Sequence, residues 1–213
     1  YEYDGKKEIF FIGNYNGYSS VFKMAYNPDT TEYEKPEVII EGEREAEFES
    51  FHLLENSLDV SKQGLLAFVT QSMATDVIHI YSITNDNILE TLRFDGLIRI
   101  KAPAFSNDGK MIVFTGSDRE GFVDIYTYNL ETKKLTRLTN DYYEDNDPIF
   151  NKDNTKIIFA SDRTTGLFKQ KYNLFEYDLS DHSINYLTYV GANISSPRFS
   201  KDFSKIYFTC DYD

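Results

Sequence analysis

The sequence Pro103-Ala-Phe105-Ser-Asn-Asp108-Gly109-Lys-Met-Ile-Val-Phe114 is the clearest copy of a phrase that this chain repeats. Asp124-Ile125-Tyr126 and Arg137-Leu138-Thr139 follow it, and further copies begin at Pro148 and Pro197. The aromatic residues before the turn, Phe105, Phe150 and Phe199, are 45 and 49 residues apart. A fixed period of this size with strand-like content predicts a repeat architecture.

Each copy of the phrase predicts four short strands. In the clearest copy they cover residues 102–106, 110–115, 122–129 and 134–138. The first two are joined by Asn107-Asp108-Gly109, a hairpin turn signal in which glycine accepts a positive φ. Four antiparallel strands in about 45 residues form one blade of a β-propeller. A sandwich would not repeat a phrase, and a helical solenoid would need a helical period. The predicted fold is therefore all-β, a β-propeller.

The copies also divide the chain into units. We expect blades at about residues 1–45, 46–99, 100–144 and 145–193, with a partial unit at 194–213. The first unit has strands at about residues 7–12, 20–26 and 36–40 and lacks its first strand, so the chain should contain 17 strands. A weaker copy of the phrase at Val60 shows that the first unit is longer, and residues 27–50 are its expected insertion. These counts predict a single section of a larger or partial ring. We expect the chain to be a piece of a longer protein, with a processed chain as the alternative.

Composition limits the classes of partner. The formal net charge is −13, so a nucleic-acid backbone would be repelled and a basic partner is compatible. The single cysteine, Cys210, permits no internal disulfide and no thiolate metal cluster. No apolar run reaches the roughly 18 residues that span a bilayer. We therefore expect no nucleic-acid partner and no membrane span in this chain.

The repeated residues resemble the TolB-type propeller repeat, a relative of the WD repeat. The family phrase is Pro-x-aromatic-Ser-Pro-Asp-Gly-Lys, an apolar strand, Ser-x-Arg-x-Gly, Asp-Ile-Tyr and Leu-Thr. The third unit matches it best, whereas the fourth has Asn154 for Gly and Asn173-Leu174-Phe175 for Asp-Ile-Tyr, and the fifth has Phe203 for Gly. The resemblance implies a periplasmic or extracellular cell-envelope location and protein partners. It also includes propellers that precede the hydrolase domain of prolyl-oligopeptidase-like peptidases, and modules of envelope proteins that carry peptidoglycan-binding domains.

Strand direction sorts the loops into two faces. Because strands alternate in direction within a blade, the Asp118-Arg119 and Asp162-Arg163 loops should share a face with linkers 140–147 and 189–196. In propeller rings this face is the usual docking surface, and loops carry the variation. We predict that partner-binding residues lie here: Tyr142, Tyr143, Glu144, Asp145, Asp147, Asp118, Arg119, Asp162 and Arg163.

The linker 140–147 is the strongest candidate on this face. It joins two tyrosines, which are favoured interface anchors, to four acids that could meet a basic partner. The same carboxylates could hold calcium, although the spaced Asp-x-Asp-x-Asp-Gly loop is absent. A solvated linker in which Asp and Asn cap turns is the structural alternative. We predict no metal site and no cofactor, with calcium as the alternative.

Two other acidic features have structural interpretations. In the repeated Ser-Asp-Arg turns, Asp can cap its own loop while Arg stacks on an aromatic ring or pairs between blades. Asp124 recurs by blade, which favours a structural role for it as well. Glutamates alternate at positions 41, 43, 45, 47 and 49, so on an extended chain they would point one way. This pattern predicts a solvated edge or an acidic patch for a basic partner.

Catalysis finds little support in the sequence. The three histidines, His52, His79 and His182, lack metal-ligand spacing, and no Gly-x-Ser-x-Gly nucleophile elbow occurs. We predict no catalytic residues and a non-enzymatic module that serves as a protein-binding scaffold. Two alternatives stay open: a propeller accessory to a prolyl-oligopeptidase-like peptidase, and carbohydrate or cell-wall binding. The 17 Tyr and 17 Phe permit the latter, and the lack of Trp weakens it.

Overall fold

The computed structural model describes residues 2–3, 6–42 and 57–211, and its regular structure is almost entirely β. The strands up to residue 95 are β1 (Glu2–Tyr3), β2 (Lys6–Tyr15), β3 (Tyr18–Asn27), β4 (Glu32–Tyr33), β5 (Glu37–Ile40), β6 (Asp59–Val60), β7 (Leu65–Ser72), β8 (Thr75–Ser82) and β9 (Asn87–Leu92). The later strands are β10 (Leu97–Phe105), β11 (Met111–Asp118), β12 (Val123–Asn129), β13 (Leu135–Arg137), β14 (Asp145–Phe150), β15 (Lys156–Ser161), β16 (Asn173–Asp178), β17 (Ile184–Tyr186), β18 (Asn193–Phe199) and β19 (Ile206–Asp211). One turn of 3-10 helix covers Gly166–Phe168.

The strands form antiparallel sheets in which successive strands are neighbours. Three sheets have four strands each, in the orders β6-β7-β8-β9, β10-β11-β12-β13 and β14-β15-β16-β17. The first sheet runs β1-β2-β3-β4, with β5 also paired to β3, and β18 and β19 form a two-stranded sheet. Repeated four-stranded antiparallel sheets of this kind are propeller blades. The predicted fold, a section of a β-propeller, is confirmed. In the described ranges, no helix has the length and apolar character needed to cross a membrane.

The chain forms two compact units, Tyr1–Asp95 and Gly96–Asp213, and each has its own core. In the first, Val21, Leu66, Phe68 and Tyr81 are buried together. In the second, the core includes Ile125, Ile157, Phe159, Leu174 and Phe175. Burying one such side chain stabilises the fold by about 1.5–3 kcal/mol. The predicted blade limits within a single section stay a prediction.

The first sheet differs from the prediction, because two short strands, β1 and β4, join the three expected ones. Among the described residues there are therefore 19 strands, and the expected 17 was wrong. The side chain of Asn27 accepts the N–H groups of Asp29 and Thr30, which closes a turn and brings β4 back onto the end of β3. The insertion predicted at residues 27–50 thus starts as a hairpin. Residues 43–56, which include most of the alternating glutamates, lie outside the described residues.

The Ser and Asp of the repeated phrase close the turn between the first two strands of a blade. Ser106 Oγ donates to Asp108 Oδ1 at 2.6 Å and accepts the N–H of Met111 at 2.9 Å. In the fifth unit Ser200 Oγ likewise donates to Asp202 Oδ1 at 2.6 Å. These hydrogen bonds favour the turn over continued pairing, which is why these residue types recur there.

The turn is the same even where its glycine is replaced. Gly109, Asn154 and Phe203 occupy equivalent positions and have φ of 70°, 57° and 60°. Asparagine tolerates this left-handed conformation, and Asn154 has a second role. Its Oδ1 accepts the N–H of Asn107 at 2.8 Å, and Asn107 Nδ2 donates to the carbonyl of Asn151, so the turns of adjacent sheets are joined. The departure from the family phrase therefore adds a contact between blades.

In the third, fourth and fifth units the repeated proline follows a β-bulge in the first strand. Ala102, Asp147 and Ser196, each just before the proline, have φ of 48°, 53° and 53°, and the pairing register shifts at all three. A bulge takes a residue out of the ladder, and proline suits the site because it has no N–H to leave unpaired. The run predicted at residues 102–106 is thus only the second half of β10, which begins at Leu97.

Candidate functional site

Four loops of the second unit meet at one end of its sheets, and we call this surface the linker face: residues 118–122, 138–144, 162–172 and 187–192. Glu144 N donates to Asp162 Oδ1 at 2.9 Å, and the ring of Tyr142 lies 5.9 Å from that of Phe122. Val190 N, in the last loop, donates to the side chain of Asn173 at 2.8 Å. The prediction that these loops share a face is confirmed.

Arg163 is the centre of the linker face. Its Nη1 lies 3.0 Å from Asp141 Oδ2, and its Nη2 lies 2.7 and 2.6 Å from the two carboxylate oxygens of Asp145. The guanidinium also lies over three aromatic rings, at 5.2, 5.5 and 5.8 Å from the centroids of Tyr143, Phe159 and Phe175. Charge-assisted hydrogen bonds and cation–π contacts together hold the linker 138–144 against the loop after β15.

Burial of this ion pair changes the role of two predicted residues. The side chain of Asp145 is fully buried, and that of Arg163 is 10% exposed. Burial raises the pKa of Asp145 above the usual carboxyl value, while the charge and hydrogen bonds of Arg163 act in the opposite direction. The carboxylate of Asp145 is therefore closed to direct contact with a partner, and little of the Arg163 side chain is accessible. Both were predicted to bind a partner, which stays a prediction, and their observed contacts support the loops.

A related ion pair stabilises the third blade. Arg137 pairs with the fully buried Asp124, and its Nη1 lies 3.8 Å from Asp118 Oδ2. Thr139 Oγ1 accepts the N–H of Ile125 at 2.9 Å. Strand β12 is therefore tied to the linker that follows β13 by Asp124, Arg137 and Thr139, which are the Asp of Asp-Ile-Tyr and the Arg and Thr of Arg-Leu-Thr. This confirms the structural interpretation of Asp124.

The fourth blade makes the same connection without charge. Asn173 stands where Asp124 stands in the third blade, and Tyr186 stands where Arg137 does. Asn173 Oδ1 accepts the hydroxyl of Thr188 at 3.1 Å, and its Nδ2 donates to the carbonyl of Val190 at 3.0 Å. An amide can both donate and accept, so it replaces a carboxylate that would lack a cationic partner here.

The three carboxylates of Asp124, Asp141 and Asp145 each offer an oxygen within 4.8 Å of the others, which is the spacing of a metal site. Arg137 and Arg163 pair with all three and already supply positive charge. Among the buried oxygens of this cluster only Asp124 Oδ1 lacks a hydrogen bond, whereas calcium takes about six to eight oxygens. The residues therefore fit two arginines better than a calcium ion.

Calcium should accordingly leave the thermal stability of the protein unchanged. We expect melting temperatures in about 5 mM calcium and in excess chelator to agree within about 1 °C, because only binding to the folded state would raise them. Differential scanning fluorimetry measures this, with magnesium as the control for ionic strength. A calcium-specific rise of several degrees would instead show that the cluster forms a site.

Among the predicted partner-binding residues, four present their side chains to solvent. Tyr142 is 92% exposed and Tyr143 is 43% exposed, and Arg119 and Glu144 are also exposed. The half-buried carboxylates are occupied by loop N–H groups: Asp118 caps residues 120 and 122, Asp162 accepts from Glu144, and Asp147 accepts from Ser196. Partner binding by all of the predicted residues stays a prediction.

Sequence reasoning placed the Asp162-Arg163 loop and linker 189–196 on this face, but it missed the length of the loop and two exposed side chains, Leu167 and Tyr189. Four residues separate β11 from β12, but eleven separate β15 from β16, so the fourth blade carries the longer loop. Its 3-10 turn leaves Leu167 98% exposed, and Tyr189 in the next linker is 68% exposed. The extra spacing between Ser-Asp-Arg and Asn-Leu-Phe was the available signal, since loops that depart from a repeat carry the variation.

Two of the three histidines, His79 and His182, form hydrogen bonds with neighbouring side chains of the fold. His52 lies outside the described residues. His79 is fully buried, with Nε2 2.8 Å from Thr70 Oγ1 and Nδ1 3.0 Å from Thr91 Oγ1, so its ring joins β7, β8 and β9. Burial, aided by the positive charge of Arg93, lowers the pKa of His79 to about 4. His182 is exposed in a turn, with Nδ1 2.8 Å from the Tyr177 hydroxyl.

Comparison with known proteins agrees with the fold and the repeat. Residues 57–213 match the family described as TolB beta propeller domain. The chain belongs to this family. Within it, 89 residues are 32% identical to the Tol-Pal system protein TolB of Francisella tularensis subsp. mediasiatica (strain FSC147), covering 42% of this chain and 20% of that protein. The matched part is thus about a fifth of the length of this TolB.

Solved structures extend the likeness to nearly the whole chain. Crystalline TolB from Acinetobacter baumannii is 18% identical with a TM-score of 0.62, over 95% of this chain and 62% of that one. A puromycin-hydrolyzing peptidase of Mycobacterium tuberculosis is 11% identical with a TM-score of 0.59, over 88% of this chain and 28% of that one. At such identities the likeness concerns the fold, which TolB β-propeller domains share with parts of larger enzymes.

Proposed function

We propose that this TolB β-propeller chain is a non-enzymatic module that binds a protein partner through its linker face. The observation that carries the proposal is the exposure of Tyr142 and Tyr143 on a linker that Arg163 holds in place. Exposed tyrosines on an ordered loop are favoured interface anchors. We place the module in a protein of the bacterial cell envelope, in the periplasm or outside the cell.

The order of the linker matters energetically. Asp141 accepts the N–H of Tyr143 at 3.0 Å and also pairs with Arg163, while Glu144 N is bound to Asp162. These contacts fix the backbone on both sides of the two tyrosines before a partner arrives. Binding then costs less conformational entropy than it would on a mobile loop. This favours a docking role for the linker over that of a solvated connection.

The comparisons support the envelope placement. The relative with 32% identity is named as a component of the Tol-Pal system, and the family is that of the TolB propeller domain. The exposed side chains of the linker face include tyrosines, which suit contact with another protein. Its buried charged groups pair with one another and so serve the structure. We therefore propose binding rather than catalysis for this chain.

Loss of partner capture should follow removal of the two tyrosine rings. The tagged chain would be used to capture proteins from a bacterial envelope extract, beside the variant Tyr142→Ala/Tyr143→Ala. We expect capture of the partner to fall about tenfold or more, because hot-spot aromatics dominate interface energies. Quantitative mass spectrometry of the captured proteins measures the change.

The matched control is Tyr207→Ala, which removes a 61% exposed tyrosine of β19 away from the four loops. It should leave capture unchanged and melt close to the parent chain. The double variant also loses the contact between Tyr143 and Arg163 and should be destabilised by no more than about 1 kcal/mol. Equal capture by the parent and the double variant would contradict the proposed binding surface.

A further inference from the structure

Exposed aromatic side chains on the linker face are connected by a row of groups in contact with one another. From Tyr143 the row passes to the guanidinium of Arg163, 5.2 Å from the ring centroid, and on to Phe175 at 5.8 Å. Phe175 contacts Tyr186 at 4.4 Å, and Tyr186 stacks on Tyr189 at 4.7 Å. With Tyr142 beside it, this row forms an aromatic strip that ends in exposed rings on both linkers. We use that name for Tyr142, Tyr143, Tyr186 and Tyr189.

Hydrogen bonds hold the acids beside the aromatic strip in position. The hydroxyl of Tyr172 donates to Glu144 Oε2 at 2.6 Å, and the backbone of Glu144 is held by Asp162. Burial, the hydrogen bond to Glu144 and the charges of Glu144, Asp162 and Asp145 raise the pKa of Tyr172 above its usual value. The phenol therefore stays protonated and donates to Glu144 throughout the physiological pH range.

Charge on this face is net negative. The loops and adjoining strand ends contain eight carboxylates against five cations: Asp118, Glu120, Asp124, Asp141, Glu144, Asp145, Asp147 and Asp162 against Arg119, Arg137, Arg163, Lys169 and Lys171. Arg163 and Arg137 are paired with buried or half-buried carboxylates, so their positive charges are neutralised by groups of the protein itself. A cationic ligand finds more opposite charge here than an anionic one does.

We infer that the linker face takes an arginine- or lysine-bearing peptide segment of the partner. Its cationic side chains lie on the exposed rings of Tyr142 and Tyr189 and pair with Glu144. Aromatic faces attract cations, and arginine also stacks flat on a ring, so strip and acids select the same chemistry. The inference rests on the proposed function and names the chemistry of the partner at that surface.

The test uses the full chain and a defined probe. A fluorescently labelled peptide of alternating arginine and glycine is titrated with the protein, beside a peptide in which glutamate replaces arginine. Fluorescence anisotropy should show binding of the arginine peptide alone, at an ionic strength of about 0.15 M where distant charges are screened. We expect Tyr142→Ala/Tyr189→Ala to weaken binding about tenfold, and Glu144→Gln about threefold.

Two variants separate the linker face from the overall charge of the protein. Glu131→Gln removes the same charge from the turn between β12 and β13, and Tyr207→Ala removes an exposed ring from β19. Both should change the dissociation constant less than about twofold, as expected for residues outside the contact. If they weaken binding as much as the linker-face variants do, the peptide binds through bulk charge and the inference is wrong.

The inference and the proposed function fail in different ways. No binding of the arginine peptide, or equal binding of the glutamate peptide, overturns the inference. If Tyr142→Ala/Tyr143→Ala still abolishes partner capture in that case, the proposed function stands and only the chemistry of the partner was misassigned. If Tyr142→Ala/Tyr143→Ala and Tyr142→Ala/Tyr189→Ala both behave like the parent chain in partner capture and in peptide binding, the linker face is not a binding surface.

Discussion

Replacing Arg163 with methionine should lower the free energy of unfolding by about 3–5 kcal/mol. The variant keeps most of the volume of the side chain but leaves the fully buried carboxylate of Asp145 without its cation. Attraction between two buried charges does little more than offset their desolvation, so the large cost arises when one partner is removed. Chemical denaturation followed by circular dichroism measures the loss.

Two further variants test this explanation. Arg163→Met combined with Asp145→Asn should recover part of the stability, because no buried carboxylate is then left unpaired. Arg119→Met is the matched control, since this arginine occupies the equivalent loop of the third blade and is exposed. It should change stability by less than about 0.5 kcal/mol. If Arg163→Met costs no more than Arg119→Met, the pair does not hold the linker.

Acidification should destabilise the first unit through His79. The pKa of this buried imidazole is about 4 in the folded protein, against 6.5 for a solvent-exposed histidine. Between these pH values the unfolded chain binds a proton that the folded chain excludes. The stability from neutral His79 is therefore complete above about pH 6.5 and is lost as the pH falls towards 4, by about 3 kcal/mol in all.

The measurement compares unfolding free energies at neutral and acidic pH for the parent chain and for His79→Gln. Carboxylates also titrate in this range, so the informative quantity is the difference between the two pH dependences. His79→Gln should be less stable at neutral pH and should lose less on acidification. His182→Gln, at an exposed turn, should keep the dependence of the parent. Parallel curves for the parent and His79→Gln would refute the role given to His79.

Much of the fold follows from local rules in the sequence. Ser106 and Asp108 close a turn with side-chain hydrogen bonds to their own neighbours, so the strands on either side could be predicted. Strand direction alternates in any antiparallel blade, and this placed the Asp162-Arg163 loop beside the linker 138–144 correctly. The start of β10 was missed because the bulge at Ala102 interrupts the alternation of side chains.

The details of the site could not be predicted in the same way. Arg163 and Arg119 both follow a Ser-Asp pair, yet one is buried on three rings and the other is exposed. The difference depends on Asp145, which is 18 positions away and reaches Arg163 only because β14 pairs with β15. Asn154 and Asn107 are 47 positions apart and meet only when adjacent sheets pack.

The sequence by itself determined the repeat, the antiparallel blades and the face to which each loop belongs. These depend on turns and on strand direction, which act over a few residues. Tertiary structure alone decided which side chains of the linker face are accessible. It buries Asp145 and Arg163 and leaves Tyr142 and Tyr189 exposed, because burial and ion pairing depend on how neighbouring blades pack.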